Sequence, residues 1–181
     1  MHVTFPALMA VATLASRAAA VDVGLMVDQN CAGVAVFCTG VNPNTCCADG
    51  RDFWGAKLQY IPKEWNLELR AHRRDSSLCG PIVEIGESRG SVAMCRPSAS
   101  KQVTGSGYSF RNWKREDEVA ETVGADTNGP CQRPDLLRLG DGTEYNLTEL
   151  SDEQYNEVLE VSIADGGVTN EVPEYMAKYR H

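Results

Sequence analysis

The 181-residue sequence predicts a mainly β fold: a small disulfide-stabilised antiparallel β-sandwich or barrel with a C-terminal α-helical extension. Three observations predict it. Short apolar, β-rich runs recur between Gly, Pro and Asn punctuation over residues 31–112. Six of the seven cysteines fall within 65 residues, as Cys31–x6–Cys38–x7–Cys46–Cys47–x31–Cys79–x15–Cys95. One strongly capped helical pattern lies near 151–164.

The elements follow in order. Val3 to Ala15 is mostly apolar and ends near Ala18-Ala19-Ala20, a small-x-small cleavage signature. The run is too short to span a bilayer, so residues 1–20 read as a signal peptide and the protein as secreted and extracellular. No later stretch approaches the roughly 18 uninterrupted apolar residues of a membrane span. Val21 to Asn30 reads as a short arm with Leu25 and Val27 on one face, and Gly33 to Thr39 as a buried strand. Asn42-Pro43-Asn44 is turn chemistry, and Ala48-Asp49-Gly50 is predicted to turn the chain again. Leu58 to Ile61 and Asn66 to Arg70 are the next strands, broken by Pro62-Lys63-Glu64. Leu67 and Leu69 alternate with Glu68 and Arg70, the pattern of a half-buried strand. Ile82 to Ile85, Ser91 to Cys95 and Tyr108 to Phe110 complete the set, with Gly105 and Gly107 read as punctuation.

This divides the chain into a cysteine-rich β domain (21–112), a charged connection (113–130) and an acidic C-terminal extension (131–181). In the extension, Ser151 is the N-cap, Gln154 completes a capping box, and Leu150 with Tyr155 sits at staple spacing. Tyr155, Val158, Leu159 and Ile163 form one apolar face, and Gly166-Gly167 stops the run. Such a face requires burial, so the tail is expected to dock on the β domain.

Charge excludes some partners. Residues 21–111 carry ten Lys/Arg against nine Asp/Glu, whereas residues 112–181 carry six against sixteen. A nucleic-acid binder needs a concentrated basic face, and an acidic half disfavours anionic membranes, so neither partner is expected.

Seven cysteines behind a leader argue for disulfides over zinc, because there is no C-x2-C pair and residues 21–181 hold only His72 and His181. No metal, cofactor or catalytic residues are assigned. Cys46 and Cys47 are too close at Cα to bridge one another and should bond to different partners. The pairing is otherwise open among Cys31, Cys38, Cys46, Cys47, Cys79 and Cys95. Cys131 is the natural cysteine to be left over, giving a monomer or a Cys131-linked dimer, although a Cys95–Cys131 bridge also fits.

Few residues invite a site. Asn146-Leu147-Thr148 is the N-glycosylation sequon, with Asn146 the acceptor. Arg73-Arg74 resembles a dibasic processing site but reads more simply as an exposed loop. His72, beside Glu68, Arg70 and Arg73, is read as an ordinary surface histidine over a general acid/base. Asp49, Asp52, Glu84 and Glu87 are the carboxylates a glycosidase pair would draw on, with nothing to set their separation. Phe53, Trp54, Tyr60 and Trp65 are read as core over a sugar-stacking platform. If a functional surface exists, the loops around Asp49–Trp54 and Arg70–Ser77 are the first place to expect it.

Several segments together resemble small cysteine-rich proteins secreted by filamentous fungi. They are Cys38-Thr-Gly-Val-Asn-Pro-Asn-Thr-Cys46-Cys47, Ile61-Pro62 to Trp65, the Gly-Ser-Val-Ala-Met-Cys95 strand, and Cys131-x2-Pro134-Asp135 with Asp141-Gly142-Thr143-x-Tyr145. The resemblance implies an effector-like protein that binds a host protein or cell-wall polysaccharide and alters immunity or cell death. It carries no catalytic residue. The strand rhythm is also similar to βγ-crystallin-like and killer-toxin-like sandwiches, an analogy of fold alone. A secreted antimicrobial or killer-toxin-like protein and a small secreted hydrolase are the alternative expectations.

Overall fold

A computed structural model describes residues 20–111, 131–168 and 170–181. The expected signal peptide, but for Ala20, and the expected connection at 113–130 lie outside these residues. Eleven strands are described. The first eight are β1 (Val21–Met26), β2 (Ala35–Val41), β3 (Cys46–Phe53), β4 (Gly55–Gln59), β5 (Leu67–Arg73), β6 (Ile82–Glu87), β7 (Met94–Pro97) and β8 (Val103–Phe110). β9 (Cys131–Gln132), β10 (Leu136–Arg138) and β11 (Glu144–Asn146) follow, and α1 (Asp152–Ile163) and two short 3-10 turns complete the order. They form two sheets, β11-β10-β2-β1-β4-β7 and β6-β5-β8-β3-β9. Among the described residues all strand pairings are antiparallel except β3 with β9. The mainly β, disulfide-stapled fold with a C-terminal helix is therefore the architecture expected.

The core lies between the sheets. Val21, Val23 and Leu25 of β1 and Leu67, Leu69 and Ala71 of β5 are fully excluded from solvent, as period-two alternation requires of two inner faces. The predicted N-terminal arm is thus a central strand, hydrogen-bonded on one side to β2 and on the other to β4. Both of its faces are covered. On the outer face, Met26 joins Ala35, Phe37 and Leu136 in a second apolar cluster. The Phe37 ring lies directly over Gly24, where a Cβ would stand 2.4 Å from the ring. The alternation Val21-Asp22-Val23-Gly24-Leu25 is present in the sequence, but it marks only a strand and not the two strands that flank it.

Two expected turns are corrected in the same way. Ala48-Asp49-Gly50 lies inside β3, whose register with β8 shifts between Ala48 and Phe53. That irregularity absorbs the turn-forming residues without ending the strand. Gly105 and Gly107 lie inside β8, not at its border, because other groups crowd them: a Cβ at Gly107 would meet the Thr45 carbonyl oxygen at 2.8 Å. Asn42-Pro43-Asn44 does turn the chain, with Asn44 at φ 62° and Thr45 N–H donating to the Asn42 carbonyl at 3.2 Å.

The C-terminal region is continuous with the sandwich. β10 pairs with β2, and β10 and β11 form a hairpin around Asp141-Gly142-Thr143. Helix α1 carries the expected capping box between Ser151 and Gln154. Its buried Tyr155, Val158 and Leu159 join the main core. Gly167, at φ 74°, closes against Val34, where a Cβ would approach to 2.8 Å.

Three disulfides join Cys31 to Cys95, Cys38 to Cys47, and Cys46 to Cys79. Successive residues of a strand point to opposite faces, so the neighbours on β3 reach different partners. Cys47 turns inward and ties β3 to β2 of the other sheet, while Cys46 turns outward to the segment between β5 and β6. Cys95 is taken by Cys31, which removes the Cys95–Cys131 alternative. Cys131 is free and exposed.

Candidate functional site

The hairpin β10–β11 and the ends of β1, β2 and β4 leave a polar groove on the outer face of the first sheet. Its volume is about 380 Å³, and Asp22, Tyr60, Asp135, Arg138, Glu144 and Asn146 are among its walls. Each polar wall is set by register. Arg138 and Glu144 are cross-strand partners, and the Arg138 Nε donates to Glu144 Oε1 at 2.6 Å. The Arg138 Nη1 donates to Gln59 Oε1 at 2.5 Å, and the guanidinium lies 4.7 Å from the centre of the Phe37 ring. The Arg138 plane is therefore held on three sides. Asp135 accepts from the Thr39 backbone N–H at 3.0 Å and from the Thr39 hydroxyl at 3.1 Å.

Asp22 is the buried acid of the groove. Its Oδ1 accepts from the Gly40 N–H at 3.0 Å, which favours the charged form, but burial is the larger influence and raises its pKa above the usual carboxylate value. The charges of Asp135 and Glu144 push in the same upward direction, against Arg138.

Tyr60 stands at the rim with 62% of its surface exposed and its backbone at φ 59°. A non-glycine residue in the left-handed region costs about 1–3 kcal/mol and persists where the surroundings over-determine it. The next residue supplies that constraint: Ile61 is buried, and its N–H donates to the Val92 carbonyl at 2.9 Å. An exposed ring, carboxylates, amides, hydroxyls and one fixed guanidinium around a groove of this size suit a hydroxyl-rich ligand that stacks one face on the ring. The groove offers carboxylate oxygens, yet its carboxylates belong to no three-membered metal-ligating cluster among the described residues.

The residues singled out from sequence are scattered. His72 is buried, not on the surface: it lies beneath the segment that carries Cys79, with Nδ1 2.8 Å from the Gly80 carbonyl. Burial lowers its pKa, opposed by that hydrogen bond. Asp49 is buried and accepts from the Tyr155 hydroxyl at 2.9 Å and from Arg51 at 3.1 Å, which locks α1 to β3. Glu84 is on β6, with β5 and β8 lying between β6 and β3, a separation of about 14 Å at the usual strand spacing. Asp52 is exposed, and Glu87 pairs with Arg89 and Arg111. These carboxylates do not converge.

Of the aromatics, Phe53 is core and Trp65 packs edge-on against Phe110 with ring centres 4.9 Å apart. Trp54 is half-buried, and Tyr60 departs from the core reading. Arg73 and Arg74 are both exposed, at the end of β5 and just beyond it. Asn146 belongs to the groove wall, where its Oδ1 accepts from the Thr148 N–H at 2.8 Å. Asp22, Asp135, Arg138 and Glu144 had no sequence signal. They come from four strands or loops up to 122 positions apart, and only register assembles them.

A family model described as an N-terminal domain matches residues 22–135, a span that includes all seven cysteines together with Asp22, Tyr60 and Asp135 of the groove. No curated protein and no solved structure matches the chain.

Proposed function

The chain belongs to the ARB_05566_N family, and we propose that it is a secreted, effector-like binding protein, not an enzyme. In this reading it acts outside the cell that makes it, at a host interface, by holding a cell-wall polysaccharide in the Tyr60–Arg138 groove. Altered host immunity or cell death would follow from that binding. The observation that carries the reading is Tyr60, an exposed ring on a left-handed backbone at the rim of a groove lined by fixed polar groups. Disulfide density supports an oxidising compartment, and among the described residues no helix is long and apolar enough to cross a membrane.

Co-sedimentation of the oxidised protein with insoluble chitin and insoluble β-glucan tests it. Retention on either polymer is expected, with a loss of about tenfold in Tyr60→Ala, because stacking on an aromatic ring contributes on the order of 1–2 kcal/mol. Retention that is absent, or unchanged in Tyr60→Ala, would overturn the groove as the binding site.

A further inference from the structure

On the outer face of the second sheet, three sulfurs meet. β9 pairs in parallel with β3 in the register Cys46↔Cys131, which sets the free cysteine beside one end of the Cys46–Cys79 bridge. The Cys131 Sγ is 3.3 Å from the Cys79 Sγ, and all three sulfurs lie within 4.8 Å of one another. The bridge itself is buried, with Cys46 7% and Cys79 3% exposed, whereas Cys131 is open to solvent. Gly105 makes the space: a Cβ there would stand 2.9 Å from both bridge sulfurs. The other two bridges share no such cluster among the described residues.

We propose that Cys46, Cys79 and Cys131 form a thiol–disulfide exchange site with two interchangeable pairings. The Cys131 thiol gives its proton to solvent, and its thiolate attacks the Cys79 sulfur. A Cys79–Cys131 bond forms as the Cys46–Cys79 bond breaks. The electron pair leaves on the Cys46 sulfur, which takes a proton from water. One disulfide and one thiol are present before and after, so no external oxidant or reductant is consumed. The exchange moves the free thiol from an exposed position to one under the β5–β6 segment, and it fastens that segment to β9 in place of β3. The site therefore determines whether the protein presents a reactive thiol to its surroundings.

Disulfide mapping tests this on the full oxidised chain. The protein is equilibrated at about pH 8.5, where thiols ionise, then quenched with acid, unfolded and trapped with a maleimide under mildly acidic conditions. Peptic peptides are mapped without reduction. The maleimide is expected on both Cys131 and Cys46, with a Cys79–Cys131 peptide in roughly a tenth of molecules or more, as two pairings of similar stability require. Label confined to Cys131, with no Cys79–Cys131 peptide, overturns the proposal. The variant Cys46→Ser gives an independent readout. It should carry a Cys79–Cys131 bridge and no free thiol, and two free thiols in a folded Cys46→Ser protein would equally overturn it.

Discussion

Strand β3 has two sides that differ in almost every physical respect. Its odd positions, Cys47, Asp49, Arg51 and Phe53, look toward the core and the helix. Cys47 and Phe53 are sealed in the main cluster, while Asp49 and Arg51 bond to Tyr155 and Asn156 of α1. Its even positions, Cys46, Ala48, Gly50 and Asp52, look outward, the first two under the Leu78–Cys79 segment and the last two in solvent. The inner bridge, Cys38–Cys47, is enclosed by apolar side chains, and the outer bridge has a thiol in van der Waals contact. Two adjacent cysteines thus divide labour: one holds the sheets together, and the other is placed where a bond can be remade.

The largest expected effect comes from the inner side. Phe53→Ala should lower the unfolding free energy by about 3–5 kcal/mol, through lost burial plus a cavity, while Asp52→Ala next to it should change stability by less than about 0.5 kcal/mol. Denaturant titration measures both, and equal effects would mean that the two sides are not distinct.

Next comes the inner bridge. Replacing Cys38 and Cys47 together by Ala should cost about 2.5 kcal/mol from the closed loop, with a further penalty from lost packing. Reactivity of Cys131 toward a maleimide should stay unchanged in that variant if it remains folded, because Cys38 and Cys47 sit in the main core and their sulfurs are not part of the Cys46–Cys79–Cys131 cluster.

A smaller change follows at the helix contact. Tyr155→Phe removes the hydroxyl that donates to buried Asp49 and should cost about 1–2 kcal/mol, seen as a lower thermal midpoint.

The smallest effect is a pH dependence on the outer side. His72 faces outward, opposite Gly105 in the sheet, and burial holds its pKa below the ordinary value. The unfolded chain then binds the proton more readily, so this contribution to stability is fully present above about pH 6.5 and declines as pH falls through that value. Asp22, whose pKa is raised by burial, works in the opposite sense: its contribution is present below the ordinary carboxylate range and is lost as pH rises through the folded value. His72→Asn should flatten the fall in thermal midpoint on the acid side of neutrality, and Asp22→Asn should raise the midpoint at neutral pH relative to the parent.

Much of this architecture was legible in the residues. The alternation of Leu67 and Leu69 with Glu68 and Arg70 reports a half-buried strand, and Ser151 with Gln154 reports a helix start. Both are short-range patterns that arise from local geometry, so they read directly. Val21 to Met26 carries the alternation Val21-Asp22-Val23-Gly24-Leu25, but no local pattern shows that it pairs with β2 on one side and β4 on the other, so it did not read as a strand of the centre. Gly105 and Gly107 read as breaks because sequence shows small residues without showing the sulfur and carbonyl that press on them.

The sequence by itself determined the fold class, the disulfide framework, the capped helix and the separation of Cys46 from Cys47 into different bridges. Each follows from composition, period or the reach of one residue. Only the tertiary structure decided which cysteines pair, that Tyr60 stands exposed beside Asp22 and Arg138, and that Cys131 rests against the Cys46–Cys79 bridge. Those features depend on strand register across 9 to 122 positions of chain, and the residues brought together bear no local mark of one another.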